Sequence, residues 1–263
     1  MEILVCIKQV PQTNKVEVDP VTGVLKRGGV ASKMNPYDLY ALETALRLTK
    51  RYGGRVKVLS MGPPQAEQVI REAFAMGAQE GVLLSDRRFG GADVLATSYT
   101  LSQGVRHLGH FDMILCGKQT TDGDTAQVGA ELSEALQLPA VLNVTKILEI
   151  KEGFATVQMD LGQEIQTVRV ALPCLMAVEK DIFQPRLPSF VRKCKMADTP
   201  IQVLGLTDLQ DQDESHYGLN GSPTQVQRIF PPESNLRRQM YQGDGKALAT
   251  QLVALLEAQK LWQ

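Results

Sequence analysis

The chain has 263 residues, of which 43% are hydrophobic and 22% charged, and its formal net charge is −1. This length and composition suit a globular protein with one large domain, or one domain carrying an extended arm. A charge so close to zero provides no field for nucleic acid or an anionic membrane, so neither is expected as a partner.

The sequence also gives expectations about cellular location and about metal or disulfide sites. No apolar run approaches the ~18 residues of a membrane-spanning helix, and the start has the acidic Glu2 where a signal peptide needs basic residues. A cytoplasmic location is therefore expected. The cysteines are widely spaced, with no Cys-x-x-Cys pair, so no zinc, iron–sulfur or disulfide site is expected.

Strand and helix patterns alternate through the first half of the chain. Short apolar runs predict strands at 3–7, 56–61, 81–84 and 113–116. The intervening patterns predict helices that begin near Pro36, Gln65, Asp93 and Thr125. A small hairpin is predicted within 16–26, in the long connection before Pro36. Repeated strand–helix units of this kind form a parallel sheet with helices on both faces.

The pattern changes after Pro139. Alternating runs at 141–150, 154–160 and 164–171 predict antiparallel strands, and the apolar run 173–178 predicts one more buried strand. From residue 179 prolines become frequent, which indicates an extended arm that ends in a helix at 245–261. The arm either packs on a partner subunit or wraps its own domain. The predicted fold class is α/β: a doubly wound, mostly parallel sheet with added antiparallel strands and an extended C-terminal arm.

The stretch from Met113 to Leu136 combines a buried strand, a polar loop with Gly117 and Gly123, and a helix start. Free backbone N–H groups at a helix N-terminus hold phosphates well. An ordinary strand–helix turn, capped by Asp124 or Thr125, is the alternative interpretation. Ligands of doubly wound sheets bind beyond the carboxyl ends of the strands. The loops expected there are 8–10, 60–63, 85–93 and 117–124.

Several motifs, in order along the chain, resemble one family. They are ILVCIKQVP at 3–11, MNPYDLYALETALRL at 34–48, LSMGPPQAEQVIREAFAMGA at 59–78, CGKQTTDGDTAQVG at 116–129 and KDIFQPRLPS at 180–189. Over almost its whole length the chain resembles the β (small) subunit of electron-transfer flavoproteins. The resemblance implies a nucleotide-binding domain at 1–183. It also implies a recognition loop and C-terminal arm at 184–263 that wraps the partner α subunit.

The family has two branches that differ in what the β-subunit cleft binds. In one, AMP has a structural role; in the other, the electron-bifurcating branch, the cleft holds FAD that accepts a hydride from NADH. The run Asp122 to Gly129 resembles the bifurcating form, although Ala130 stands where many members have proline. This resemblance implies an electron-transport role in a heterodimer. One electron would go to ferredoxin or flavodoxin, and the other through the α-subunit FAD to an acyl-CoA or hydroxyacid dehydrogenase. A plain carrier with AMP and, from another class, a stand-alone ATP-binding or ATP-hydrolysing domain are the alternatives.

By the family pattern, the cofactor contacts fall in four segments of this chain. The implied cofactor-binding residues are Cys6, Lys8, Asn35, Tyr37, Asp38, Met61, Gly62, Gly117, Thr121, Asp122, Gly123, Asp124, Thr125, Ala126, Gln127 and Val128. Asp122 or Asp124 is expected to cap the helix or to bond a ribose hydroxyl. Arg87 and Arg88 are expected to meet NADH phosphates, the partner, or solvent. Phe190 falls at the position that anchors a partner dehydrogenase, although the surrounding sequence departs from the usual lysine-rich pattern. No acid–base or nucleophilic catalytic residue is expected.

Overall fold

The computed structural model describes residues 1–12, 31–226 and 239–261. The chain divides into two compact units, Met1–Gln227 and Arg228–Gln263. The hairpin predicted within 16–26 lies outside the described residues.

The first unit is built from strands and helices that alternate through much of the chain. Its strands are β1 (Glu2–Cys6), β2 (Gln9–Pro11), β3 (Ser32–Met34), β4 (Arg55–Met61), β5 (Glu80–Leu84), β6 (Met113–Gly117), β7 (Ala140–Lys151), β8 (Phe154–Asp160), β9 (Ile165–Ala171), β10 (Cys174–Val178) and β11 (Gln202–Leu204). Its α-helices are α1 (Pro36–Tyr52), α2 (Glu67–Met76), α3 (Val94–Leu108), α4 (Val128–Leu136) and α5 (Phe190–Lys195). Short 3-10 turns lie at Pro64–Ala66, Arg87–Phe89, Leu206–Asp208 and Glu214–His216.

One nine-stranded sheet forms the framework, in the order β11-β5-β4-β1-β6-β10-β7-β8-β9. The strands from β11 to β7 run parallel, while β8 and β9 are antiparallel additions. β2 and β3 form a separate antiparallel pair. The predicted α/β class with an antiparallel extension is confirmed.

Strand alternation directs side chains into two cores, one on each face of the sheet. Ile3 and Val5 of β1 pack with α1 and α2, through residues such as Leu42 and Ile70. Leu4 of β1 points the other way and packs with α3 and α4. Because both faces are covered, β6 and β10 are buried apolar runs and β1 is apolar after Glu2, as in a doubly wound sheet.

The segment after residue 184 packs on the sheet, whereas the sequence predicts an extended arm. β11 pairs parallel with β5 at the sheet edge, and Leu204, Leu206 and Tyr217 are buried in the core shared with α3. Residues 184–226 therefore belong to the same compact unit as the sheet, and the boundary between the units falls after Gln227 rather than at 184. The prolines in this segment give it an irregular backbone, but the segment still covers the core shared with α3.

The second unit contains one described helix, α6 (Gly245–Ala258). Its N-cap is Asp244, whose carboxylate accepts hydrogen bonds from the amides of Lys246 and Ala247. The predicted helix is present but ends before residue 261. Among the described helices, none combines the length and apolar character needed to cross a bilayer.

Candidate functional site

The topology brings two loops together at the centre of the sheet. From β1 the chain adds β4 and β5 on one side, and then crosses through α3 to place β6 on the other side of β1. The strand order therefore reverses between β1 and β6, and such a switch point leaves a crevice beyond the carboxyl ends of the strands. The segments that enter this crevice are Ile7–Lys8 after β1 and the loop 118–127 after β6.

A buried polar network joins the N-terminus of α1 to both segments. Asp38 accepts hydrogen bonds from the Lys8 amide (2.7 Å) and from Asn35 Nδ2 (2.9 Å). Asn35 Nδ2 also donates to the Gln119 carbonyl at 2.9 Å, and its Oδ1 accepts from the Thr121 amide at 3.3 Å. Asn35 is fully buried. Its side chain therefore fixes the loop 118–127 to α1.

Asp38 is a buried carboxyl group at the base of the crevice. Burial raises its pKa to about 7, although hydrogen bonds from Asn35 and Lys8 favour the charged form. The negative charge of Asp38 is thus gained or lost near neutral pH. This makes the charge of the crevice floor sensitive to small changes in its surroundings.

Gly117 allows α1 to lie directly against the end of β6. A Cβ at this position would be 2.6 Å from Asp38 Oδ1 and 2.6 Å from the backbone carbonyl carbon of Tyr37. Since the Tyr37 contact is with main chain, it cannot be relieved by rotating a side chain. Only glycine permits this approach, and the approach positions Asp38 and Tyr37 at the crevice.

An ion pair spans the crevice between its two loops. Lys8 Nζ lies 2.8 Å from Asp122 Oδ2. Partial burial opposes the ionised form of Asp122, but the hydrogen bond and charge of Lys8 outweigh it and lower the carboxyl pKa. Asp124 in turn accepts a hydrogen bond from Gln119 Nε2. Both acids are therefore engaged by neighbours, which reduces their repulsion of an incoming anion.

The loop before α4 has an irregular backbone. Asp124 and Ala126 have positive φ values of 54° and 56°, a conformation that costs a non-glycine residue about 1–3 kcal/mol when the surroundings impose it. The amide of Asp124 is held by the Thr120 carbonyl at 3.1 Å. Residues in this conformation cannot continue a right-handed helix.

Consequently α4 begins at Val128, and the predicted start at Thr125 is wrong. Its N-cap is Gln127, whose side chain makes no capping bond, so neither Asp122 nor Asp124 caps the helix. A bond from one of these acids to a ribose hydroxyl stays a prediction. Within the described part of the chain, no hydrogen-bond acceptor is found for the amides from Thr125 to Ala130. Thr125, Ala126 and Gln127 are exposed, so together with the dipole of α4 their amides form a donor array suited to a phosphate.

The other predicted contacts line the same end of the sheet. Cys6 ends β1 and Met61 ends β4, and both contact the core beneath the crevice. The amide of Gly62 donates to the Leu84 carbonyl, which keeps the β4 loop close to β5. Cys116 lies beside Cys6, and this contact and burial raise the pKa of the Cys116 thiol well above its usual range. Both cysteines are buried core residues, and the raised pKa of Cys116 keeps its thiol protonated at neutral pH.

The structure separates the two arginines of the 85–93 loop. Arg88 pairs with Asp86 at 2.7 Å and with Glu214 at 3.1 Å, so its charge joins this loop to the segment that follows β11. Arg87 is exposed. Of the two, Arg87 is the one available to a ligand or partner.

Gln119 and Thr120 are crevice residues that the predicted set omits. Gln119 contributes its carbonyl to Asn35 and its amide group to Asp124, and the Thr120 hydroxyl accepts from the Gly123 amide at 3.4 Å. Both lie in the polar loop recognised in the sequence. Their position between Gly117 and Thr121 is the signal that would have included them.

Phe190 lies on a different surface, at the start of α5. Three apolar side chains are exposed there: Leu187 (88%), Phe190 (78%) and Val191 (61%). The helix is capped by Ser189, whose hydroxyl accepts from the Arg192 amide. This is an apolar surface on a defined helix, separate from the crevice.

Comparisons with known proteins identify the family. The model of the electron transfer flavoprotein domain matches residues 22–209. Subunit CarD of the caffeyl-CoA reductase–Etf complex of Acetobacterium woodii is 44% identical over 92% of both chains. The electron transfer flavoprotein subunit beta of Thermoanaerobacterium thermosaccharolyticum is 41% identical over 98% of both. Protein FixA of Azorhizobium caulinodans is 40% identical over 90% of this chain and 87% of its own. The chain is therefore a β-subunit member of the electron transfer flavoprotein family, with a role in electron transfer.

Proposed function

We propose that this chain pairs with an electron-transfer flavoprotein α subunit and that its crevice binds FAD. The observation that carries this proposal is the run of amides from Thr125 to Ala130 at the N-terminus of α4, beside the Lys8–Asp122 pair. A pyrophosphate needs several aligned N–H donors and a nearby cation, and both are provided by these segments.

The residues of the crevice fit a dinucleotide in charge as well as in donors. Asp122 and Asp124 are engaged by Lys8 and Gln119, so the loop does not present two free carboxylates to the phosphates. Asn35 and Gly117 fix the loop against α1. This chain's contribution would be to hold and orient the cofactor in a fixed electrostatic environment.

Bound FAD would supply the redox chemistry, accepting a hydride from NADH and passing electrons on singly. We propose ferredoxin or flavodoxin as the low-potential acceptor. We propose the α-subunit FAD, followed by an acyl-CoA or hydroxyacid dehydrogenase, as the other route. The resemblance of residues 122–129 to the bifurcating branch supports this choice over AMP binding. Similarity to a subunit of a caffeyl-CoA reductase–Etf complex supports a partner enzyme that acts on a CoA ester.

The proposed contact with the dehydrogenase is Phe190. A large apolar side chain that is 78% exposed on a capped helix is suited to insert into a partner's pocket. The proposed contact with the α subunit is the C-terminal region, including α6.

Counting flavins in the purified heterodimer tests the cofactor proposal. Two FAD per αβ pair are expected, whereas one FAD together with AMP would favour the plain carrier. Thr125→Glu places a carboxylate among the phosphate-binding amides and is expected to remove one of the two flavins. Thr167→Glu is the matched control, because Thr167 is exposed on the outermost strand β9. If Thr125→Glu retains both flavins, the site is misassigned.

The stand-alone ATP-binding alternative makes a different prediction. It requires ATP hydrolysis or tight ATP binding by the isolated chain, without flavin in the heterodimer. The visible absorbance of the purified heterodimer reports bound flavin, and a phosphate-release assay on the isolated chain reports ATP hydrolysis. Together these two measurements separate the two functions.

A further inference from the structure

A second depression lies on the outer surface of α1, away from the crevice. It has a volume of about 570 Å³, within the roughly 300–1,000 Å³ range of small-molecule pockets. The C-terminal half of α1, Ile147 of β7 and the segment 183–186 form its walls. Its charged and aromatic lining consists of Arg47, Lys50, Arg51, Arg186, Phe183 and Tyr52, with Glu43 as the single acid.

Glu43 does not neutralise this lining. Its side chain is 3% exposed and accepts from Arg47 Nε and Arg186 Nε, each at 2.7 Å. These hydrogen bonds outweigh burial and lower the Glu43 pKa, so the carboxylate is ionised. One carboxylate against two guanidinium groups leaves positive charge, and Lys50 and Arg51 add to it.

Known structural roles account for only part of this arrangement. Lys50 and Arg51 lie in the last turn of α1, where cations favour the negative end of the helix dipole. That role does not require aromatic rings. Here the Arg47 guanidinium lies 4.7 Å from the centre of the Phe183 ring, and that of Arg51 lies 5.2 Å from the Tyr52 ring. Flat guanidinium and aromatic faces are thus arranged around a cationic depression.

The depression is independent of the crevice. Asp38 lies in the first turn of α1, whereas Arg47 and Lys50 are nine and twelve residues further along the same helix. At a rise of 1.5 Å per residue they are roughly 14–18 Å from Asp38 along the helix axis. A ligand here would not compete directly with one in the crevice.

We propose that this depression, the α1 pocket, binds a small organic anion in which a planar ring carries a phosphate group. Guanidinium groups bind phosphate oxygens through paired N–H donors, and their faces, with those of Phe183 and Tyr52, stack on a ring. The proposal does not depend on FAD binding or on partner choice.

Isothermal titration calorimetry of the full chain with 1-naphthyl phosphate tests the proposal. The double variant Lys50→Gln/Arg51→Gln is expected to weaken binding by about tenfold or more, because it removes two cations without touching the Glu43 network. The matched control is Lys193→Gln/Lys195→Gln, which removes two exposed cations from α5 and is expected to bind as the unaltered chain does. Inorganic phosphate is expected to bind more weakly, and Phe183→Leu to reduce the difference between the two ligands.

The crevice variant Thr125→Glu identifies the site of binding. It is expected to bind 1-naphthyl phosphate normally; loss of binding there would assign the ligand to the crevice and overturn the proposal. Absence of binding to the unaltered chain would also overturn it. Equal losses of affinity in Lys50→Gln/Arg51→Gln and in Lys193→Gln/Lys195→Gln would do the same. Flavin content is measured separately and reports on the crevice alone. A failure of the FAD proposal therefore neither supports nor overturns the proposal for the α1 pocket.

Discussion

Gly117 shows how one missing side chain organises the crevice, and it provides the first prediction. In Gly117→Ala, the new Cβ would meet Asp38 Oδ1 and the Tyr37 main chain at 2.6 Å. We expect a loss of about 1–3 kcal/mol of unfolding free energy from this overpacking, seen as a lower melting temperature in a thermal unfolding scan.

Gly123→Ala is the control for that variant. A Cβ on Gly123 would lie 3.5 Å from Thr120 Oγ1, an ordinary contact, so a change within about 0.5 kcal/mol is expected. Equal stability of the two variants would show that α1 does not need to approach β6 so closely.

Asp38 gives a pH-dependent prediction. Its folded pKa of about 7 exceeds the usual aspartate value because burial disfavours the charge. The folded state therefore binds more protons than the unfolded state between about pH 4 and 7, and the contribution of Asp38 to stability falls as pH rises through this window. Lys8 and Asp122 are the charged side chains that face this part of the crevice.

Denaturant unfolding of the nucleotide-free chain at pH 5 and pH 8 measures this effect. Relative to Asp38→Asn, the unaltered chain is expected to lose about 2–3 kcal/mol of stability between the two values, by the usual conversion of pKa differences. Parallel pH profiles for the two proteins would contradict a raised pKa at Asp38.

The sequence predicts which residues lie at the crevice better than it predicts their backbone conformation. The glycine-bearing loop after a buried strand indicates the position of the crevice, and the family motifs indicate the individual residues. The sequence predicts a start of α4 at Thr125, three residues before the observed start, because local propensity does not reveal that Asp124 and Ala126 have positive φ. The Asp124 amide bonds the Thr120 carbonyl, and the same loop is held at Thr121 by Asn35, which comes from a distant part of the chain.

At the scale of elements, residues 183–199 form a strap across α1 and α2. Arg186 bonds Glu43 of α1, and the Ser189 amide donates to the Ala75 carbonyl of α2 at 2.9 Å. At the other end, Arg71 Nη1 donates to the Thr199 carbonyl at 2.6 Å and to that of Ala197 at 3.0 Å. The strap is therefore fixed at both ends, with α5 and Phe190 between them.

Fixing the strap should matter for partner binding because a preorganised surface loses less entropy on association. Arg71→Met is expected to increase hydrogen exchange of the 193–199 amides and to weaken dehydrogenase binding, while flavin content is unchanged. Arg55→Met, which removes exposed ion pairs at the other end of the sheet, is the control. Unchanged exchange in Arg71→Met would show that its carbonyl contacts do not hold the strap.

Phe190 itself should affect association and not folding. Phe190→Ala is expected to raise the KM for the dehydrogenase about tenfold or more, as for a buried aromatic anchor, with an unchanged melting temperature because the side chain is mostly exposed. Leu219→Ala, at a half-exposed leucine outside the strap, is expected to leave the KM unchanged. A lowered melting temperature in Phe190→Ala would instead assign the ring a packing role.

Long periodic elements were the most predictable. The alternation of β8 and the helical spacing of α3 identify these elements because each buries one face over many residues. The sequence does not predict β11, because this strand has three residues, too few for a periodic signal. Its membership of the sheet depends on pairing with β5, which local sequence does not encode.

At the scale of the whole molecule, topology determines where function can be located. The reversal of strand order between β1 and β6 creates the crevice, and the antiparallel extension β8–β9 lies at the opposite edge from β11. Both follow from the order in which strands join the sheet. The sequence predicted the class of sheet, but the position of β10 between β6 and β7 requires long-range pairing.

The boundary of the first unit can be tested by truncation. A chain ending at 227 keeps β11 and the buried Leu204, Leu206 and Tyr217, whereas a chain ending at 183 loses them. Removing these side chains would expose Val82 and Leu84 of β5, together with Phe89, whose ring lies 5.5 Å from that of Tyr217. Each large apolar side chain newly exposed to water costs about 1.5–3 kcal/mol, and the usual domain has only ~5–15 kcal/mol of stability.

We therefore expect the 1–227 chain to unfold cooperatively, with a melting temperature within a few degrees of the full chain. The 1–183 chain should aggregate or bind a hydrophobic dye. If the C-terminal region contacts the α subunit, as proposed, the 1–227 chain should also fail to co-purify with that subunit while remaining folded. A stable, cooperative 1–183 chain would return the boundary to residue 184, because it would show that β11 and the segment after it add surface contacts and not core.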